Sequence, residues 1–120
     1  MFDHFGIKVQ DVSKSKQFYV SALAPLGHAV QYDGGGHVGI GPKGAPALWL
    51  SAGPVPGTAH IALKAANRAG VDAFYKAALA AGGKDNGAPG LRPHYHKNYY
   101  GAFVLDPDGN NVEAVCHHAE

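Results

Sequence analysis

With 120 residues, 46 % of them apolar, the chain is sized for one domain whose core needs no metal or disulfide to hold it. Ten Lys/Arg against nine Asp/Glu leave a net charge of +1, which gives no electrostatic footprint for nucleic acid or an anionic membrane surface. No apolar run is long enough to span a bilayer, Asp3 and His4 interrupt any signal-peptide pattern, and the single Cys116 has no internal partner, so a cytoplasmic location is expected.

In chain order, residues 3–9 alternate small or polar with apolar side chains, which predicts a half-buried strand. A helix follows over 13–25, with Ser13 as its N-cap and Phe18, Tyr19, Ala22 and Leu23 at helical spacing. Short strands are predicted at 28–33, 37–41 and 46–51, separated by the Gly34-Gly35-Gly36 turn and the Gly41-Pro42-Lys43-Gly44 stretch. Residues 52–57, rich in Gly and Pro, form a linker. The pattern then begins again, with a strand at 58–65 and a helix at 68–81 that carries Val71, Phe74, Tyr75, Ala78 and Leu79 and stops at Gly82-Gly83. The stretch 86–98 reads as a long irregular loop. Strands at 99–105 and 111–116 flank Asp106-Pro107-Asp108-Gly109, a type I turn signature.

The recurrence is a repeat with one offset. His60 stands 56 residues after His4, and the same offset carries Lys8 onto Lys64, Phe18-Tyr19 onto Phe74-Tyr75, and Gly27 onto Gly83. The chain therefore reads as an α+β domain of two tandem βαβββ modules, about 1–53 and 57–118. Together they are expected to form an eight-stranded, partly closed mixed sheet with the helices outside.

His4, Phe18-Tyr19, His60-Ile61-Ala62-Leu63, the run Phe103-Val104-Leu105-Asp106-Pro107-Asp108-Gly109-Asn110 and Val112-Glu113-Ala114 resemble the vicinal-oxygen-chelate superfamily of glyoxalases, bleomycin-resistance proteins and extradiol dioxygenases. The resemblance runs essentially end to end. It implies a divalent metal held by side chains from the first and last strands of each module: His4, His60 and Glu113 here, with Trp49 where a fourth ligand, commonly Glu, would stand. Two imidazoles and one carboxylate leave open positions on an octahedral ion, the facial arrangement of non-haem Fe(II) oxygenases. Fe2+ is the favoured ion, with Mn2+, Ni2+ or Zn2+ as the others. The implied chemistry is dioxygenase or lyase/isomerase action on a small oxygen-rich substrate, in a homodimer. The alternative is a metal-free protein that sequesters a drug-like molecule, for which Trp49 offers a stacking face.

Among the remaining candidates, His94, His96 and Tyr100 would move protons from the pocket wall, Arg92 would meet a substrate carboxylate, and Trp49 would contact substrate. Strand alternation lets only one of Tyr99 and Tyr100 reach the cavity. His117 and His118 are expected to be exposed at the end of the chain, and Cys116 is read as an inert thiol.

Overall fold

The computed structural model describes residues 3–54 and 59–120. Its elements follow the order expected of two βαβββ modules. The first holds β1 (Phe5–Val9), α1 (Val12–Leu23), β2 (Ala29–Gly34), β3 (His37–Gly41) and β4 (Leu48–Ala52). The second holds β5 (His60–Lys64), α2 (Arg68–Ala80), β6 (Lys84–Leu91), β7 (Tyr100–Leu105) and β8 (Asn111–Cys116). Residues 55–57 of the predicted linker lie outside the described residues.

Each module makes one four-stranded mixed sheet, ordered β1-β4-β3-β2 and β5-β8-β7-β6. In both, the first and last strands of the module run parallel and side by side, and the rest is antiparallel. The register of the two sheets is equivalent. Gly6 pairs with Trp49 in the first, and Ala62, 56 residues after Gly6, pairs with Glu113 in the second. Trp49 thus occupies in one sheet the place that Glu113 holds in the other.

The helices form because their apolar positions recur at helical spacing and bury one stripe. Ser15, Phe18, Tyr19, Ala22 and Leu23 of α1 and Val71, Phe74 and Ala78 of α2 are buried. Helix α1 covers β2, β3 and β4, α2 covers β6, β7 and β8, and the two helices pack on each other. Val38, Ile40, Leu50, Ala102, Val104 and Val112 supply the sheet side of the same core. The other face of each sheet is left for function. Among the described residues no helix is long and apolar enough to cross a membrane.

Two local expectations change. Helix α1 begins at Val12, capped by Asp11, whose Oδ1 accepts from the Lys14 amide at 3.0 Å, rather than by Ser13. The stretch 86–98 is not one loop: most of β6 lies in it, pairing with β7 through register shifts at Asp85/Gly87 and Gly87/Gly90. Its sequence, KDNGAPGL, shows no alternation because it is a bulged edge strand, where Gly and Pro are tolerated. The Gly34–Gly36 turn is a hairpin as expected. Gly35 and Gly36 both take positive φ, 59° and 79°, the backbone that a two-residue turn between β2 and β3 demands.

Candidate functional site

Strand β8 is flanked by β5 and β7, so a side chain on its open face has neighbours on both sides. Glu113 sits there, opposite Ala62 of β5 and Phe103 of β7, and is only 2 % exposed. A buried carboxylate is costly unless it is paired. Glu113 has two partners. His60 Nε2 faces Oε2 at 2.8 Å, and the Tyr99 hydroxyl donates to Oε1. His60 itself is about half exposed, so the pair is open to solvent from the imidazole side.

Burial, the hydrogen bond to Glu113 and the Glu113 charge together push the Tyr99 phenol well above its ordinary pKa of 10, with the nearby Arg92 opposing them. Tyr99 is therefore a protonated donor across the physiological range, and it occupies Oε1 while His60 meets Oε2. The remaining contacts of this face form a short series. Phe103 lies edge-on to His60 at 6.3 Å, and Arg92 lies over Phe103 at 5.5 Å. The Arg92 guanidinium is anchored to the carbonyls of Gly90 and Ala88 at 2.9 and 2.8 Å. Those two bonds leave other N–H groups of its fork for an anionic ligand.

Of the expected metal ligands, the structure brings His60 and Glu113 together and leaves His4 apart. His4 precedes β1, exposed, with its Nδ1 on Asp3. Among the described residues no three of His, Cys, Asp and Glu gather into a metal-holding group. Trp49 lies on the open face of the first sheet, its ring across Gly39 and 5.5 Å from the ring of Tyr32. Phe5, His60, Ile61 and Ala62 line a hollow of about 220 Å3 between β1 and β5.

Of the two tyrosines, Tyr99 reaches Glu113, whereas Tyr100 turns to the helix side, where its hydroxyl donates to Asp72 at 2.7 Å beneath the Arg68 guanidinium. The reason is the register of β7 on β8: Glu113 is opposite Phe103, and Tyr99 shares the parity of Phe103. His94 stacks on Tyr95 at 4.3 Å, and His96 pairs with His117. Both stand at the rim, without a hydrogen bond to His60 or Glu113. Tyr32 and Tyr99 are the additional residues of the two open faces; the doublet Tyr99-Tyr100 marked the second, and nothing in the sequence marked Tyr32.

The donor set fits a divalent ion at His60 and Glu113. An imidazole nitrogen and a carboxylate oxygen are donor types that such an ion takes, and here they lie 2.8 Å apart with the imidazole side open to solvent. An ion would take the place of the proton now between nitrogen and oxygen.

A family model for the Glyoxalase/Bleomycin resistance protein/Dioxygenase superfamily matches residues 1–114. Among solved structures, a glyoxalase/bleomycin resistance protein from Albidiferax ferrireducens is 28 % identical, with a TM-score of 0.85 over 97 % of this chain and 98 % of its own. An antibiotic binding protein from a Streptomyces species is 25 % identical, with a TM-score of 0.71 over 98 % and 96 %. A glyoxalase/bleomycin resistance protein/dioxygenase family enzyme from Burkholderia phytofirmans, at 18 % identity and a TM-score of 0.76 over 97 % and 98 %, shares the fold. No curated protein matches significantly.

Proposed function

The chain belongs to the glyoxalase/bleomycin resistance protein/dioxygenase superfamily, and from that premise we propose that it is a divalent-metal-dependent enzyme acting on a small substrate with vicinal oxygens. The observation that carries this reading is the ready-made donor pair, His60 Nε2 and the buried Glu113 carboxylate at 2.8 Å. When bound, the ion, with Fe2+ favoured over Mn2+, Ni2+ or Zn2+, would polarise the substrate oxygens or bring O2 beside them.

The chain's own residues do the rest. Tyr99 holds Glu113 in one rotamer, so the carboxylate presents its free edge toward His60. Arg92, fixed by its two carbonyl contacts, meets a carboxylate of the substrate, and Phe103 forms an apolar floor between Arg92 and His60. His94 and His96 at the rim exchange protons with solvent.

His4 joins from a second copy of the chain. The hollow beside His60, about 220 Å3, is smaller than the roughly 300–1,000 Å3 of ligand pockets. A homodimer that lays the first sheet of one copy over the second sheet of the other closes the cavity and brings His4 and Trp49 to it. Mixing His4→Ala with His60→Ala subunits then restores one intact site per mixed dimer.

The decisive measurement is elemental analysis of tag-free protein beside His60→Ala and Glu113→Gln. About one equivalent of metal in the parent and none in the variants is expected. A parent that takes up no ion, even after anaerobic reconstitution, would sink the enzyme reading. One observation favours a second reading, a metal-free binding protein: the Trp49–Tyr32 pair on an open sheet face suits a flat ligand, and a relative 25 % identical is an antibiotic binding protein. In that case His60→Ala leaves ligand affinity unchanged.

A further inference from the structure

Past β8 the chain crosses the 92–99 turn, and His96 Nε2 comes to 2.9 Å from His117 Nδ1 with the rings end to end, their centroids 5.2 Å apart and their planes 25° from parallel. Tyr99 supports both rings edge-on, at 5.5 Å from His96 and 5.3 Å from His117. The Asn98 amide donates to His96 Nδ1 at 3.1 Å. In the neutral pair the proton therefore lies on His96 Nε2 and the lone pair on His117 Nδ1. Both side chains are exposed, so an ion from solvent reaches them.

We propose that His96 and His117 form a second metal site, distinct from His60–Glu113, that takes Cu2+ or Ni2+. The 2.9 Å spacing is that of an N–H···N hydrogen bond, and loading turns the two rings so that both nitrogens face one ion. The donor atoms decide the class of ion. With imidazole alone as the donor, hard cations that want oxygen are disfavoured. Copper leads among the remaining divalent ions by intrinsic affinity. Tyr99, edge-on to both rings, keeps the two imidazoles adjacent. Water completes the coordination, since no third His, Cys, Asp or Glu joins the pair among the described residues. Loading moves the His96 proton to Nδ1, and the Asn98 amide loses its acceptor.

The test uses tag-free full-length His60→Ala protein, so that the His60–Glu113 site is disarmed and the outcome does not depend on the enzyme reading. Copper(II) chloride is titrated at neutral pH and followed by electron paramagnetic resonance, with hydrogen exchange of the 92–99 segment measured alongside. The first equivalent is expected to show coupling to two nitrogens and to speed exchange around Asn98. Adding His96→Ala or His117→Ala should abolish that signal, and adding His118→Ala should leave it. A two-nitrogen signal that persists when His96 and His117 are both replaced by Ala overturns the proposal, because the copper then sits on other histidines.

Discussion

Tyr19, on the helix of the first module, donates a 2.6 Å hydrogen bond to the Asp106 carboxylate in the last turn of the second. Asp106 is buried, and it also accepts from the Asn110 side chain and from the amides of Asp108 and Asn110. The turn is bound to the first module again where Asp108 meets the Gln10 amide and the Ser15 hydroxyl. This network ties the last turn of the second module to the first module beside the packing of α1 on α2. Tyr19→Phe removes the buried donor that the first module offers Asp106, at a cost of about 1.5–3 kcal/mol. Asp106→Ala costs more, since several buried donors lose their acceptor at once. Urea unfolding of the three proteins checks the order.

Tyr99→Phe keeps the ring against Tyr95, His96 and His117 but removes the hydroxyl that holds Glu113. Groups that orient a metal ligand are commonly worth about ten- to a hundredfold in metal affinity. Competition against a chelator should show a loss of that size, with the circular dichroism spectrum unchanged. An unaltered affinity would mean that Glu113 needs no help to stay in place.

Gly39 has no room for a side chain. A Cβ there would stand 2.9 Å from the Trp49 ring and from Pro46. Gly39→Ala therefore lifts Trp49 off the sheet and lowers stability by about 1–3 kcal/mol. Trp49 is the sole tryptophan, so its emission reads this one site directly. A shift of the emission maximum toward that of exposed indole is expected, with any change in binding of a flat ligand following it.

Burial lowers the pKa of His28 below its usual 6.5, and its Nδ1 is buried without a hydrogen-bond partner among the described residues. The folded chain resists taking this proton and the unfolded chain does not. Below about pH 6.5 the unfolded state binds more protons, so stability falls as pH drops through that value and levels off beneath the folded pKa. Urea midpoints at pH 7.5 and 5.5 should differ less in His28→Asn than in the parent.

The fold was legible because its signals are local. Turns at Gly34–Gly36 and Asp106–Gly109 and helical spacing in both helices are properties of neighbours in the chain, and the 56-residue offset shows when the chain is aligned on itself. Strand β6 escaped because an edge strand with bulges need not alternate, and its Gly and Pro read as loop. Tyr32 escaped because its pairing with Trp49 joins β2 to β4 across the intervening β3.

By itself the sequence determined two modules, the strand that carries Glu113, and the fact that Tyr99 and Tyr100 face opposite ways. Alternation along one strand settles that much, because successive side chains point to opposite faces. Which tyrosine meets the carboxylate was decided only by the tertiary structure, through the pairing of Phe103 with Glu113. The same holds for the His60–Glu113 contact, for the separation of His4 from it, and for the meeting of His96 with His117. Each depends on the register between strands or the path of a turn, which packing selects and no single segment encodes.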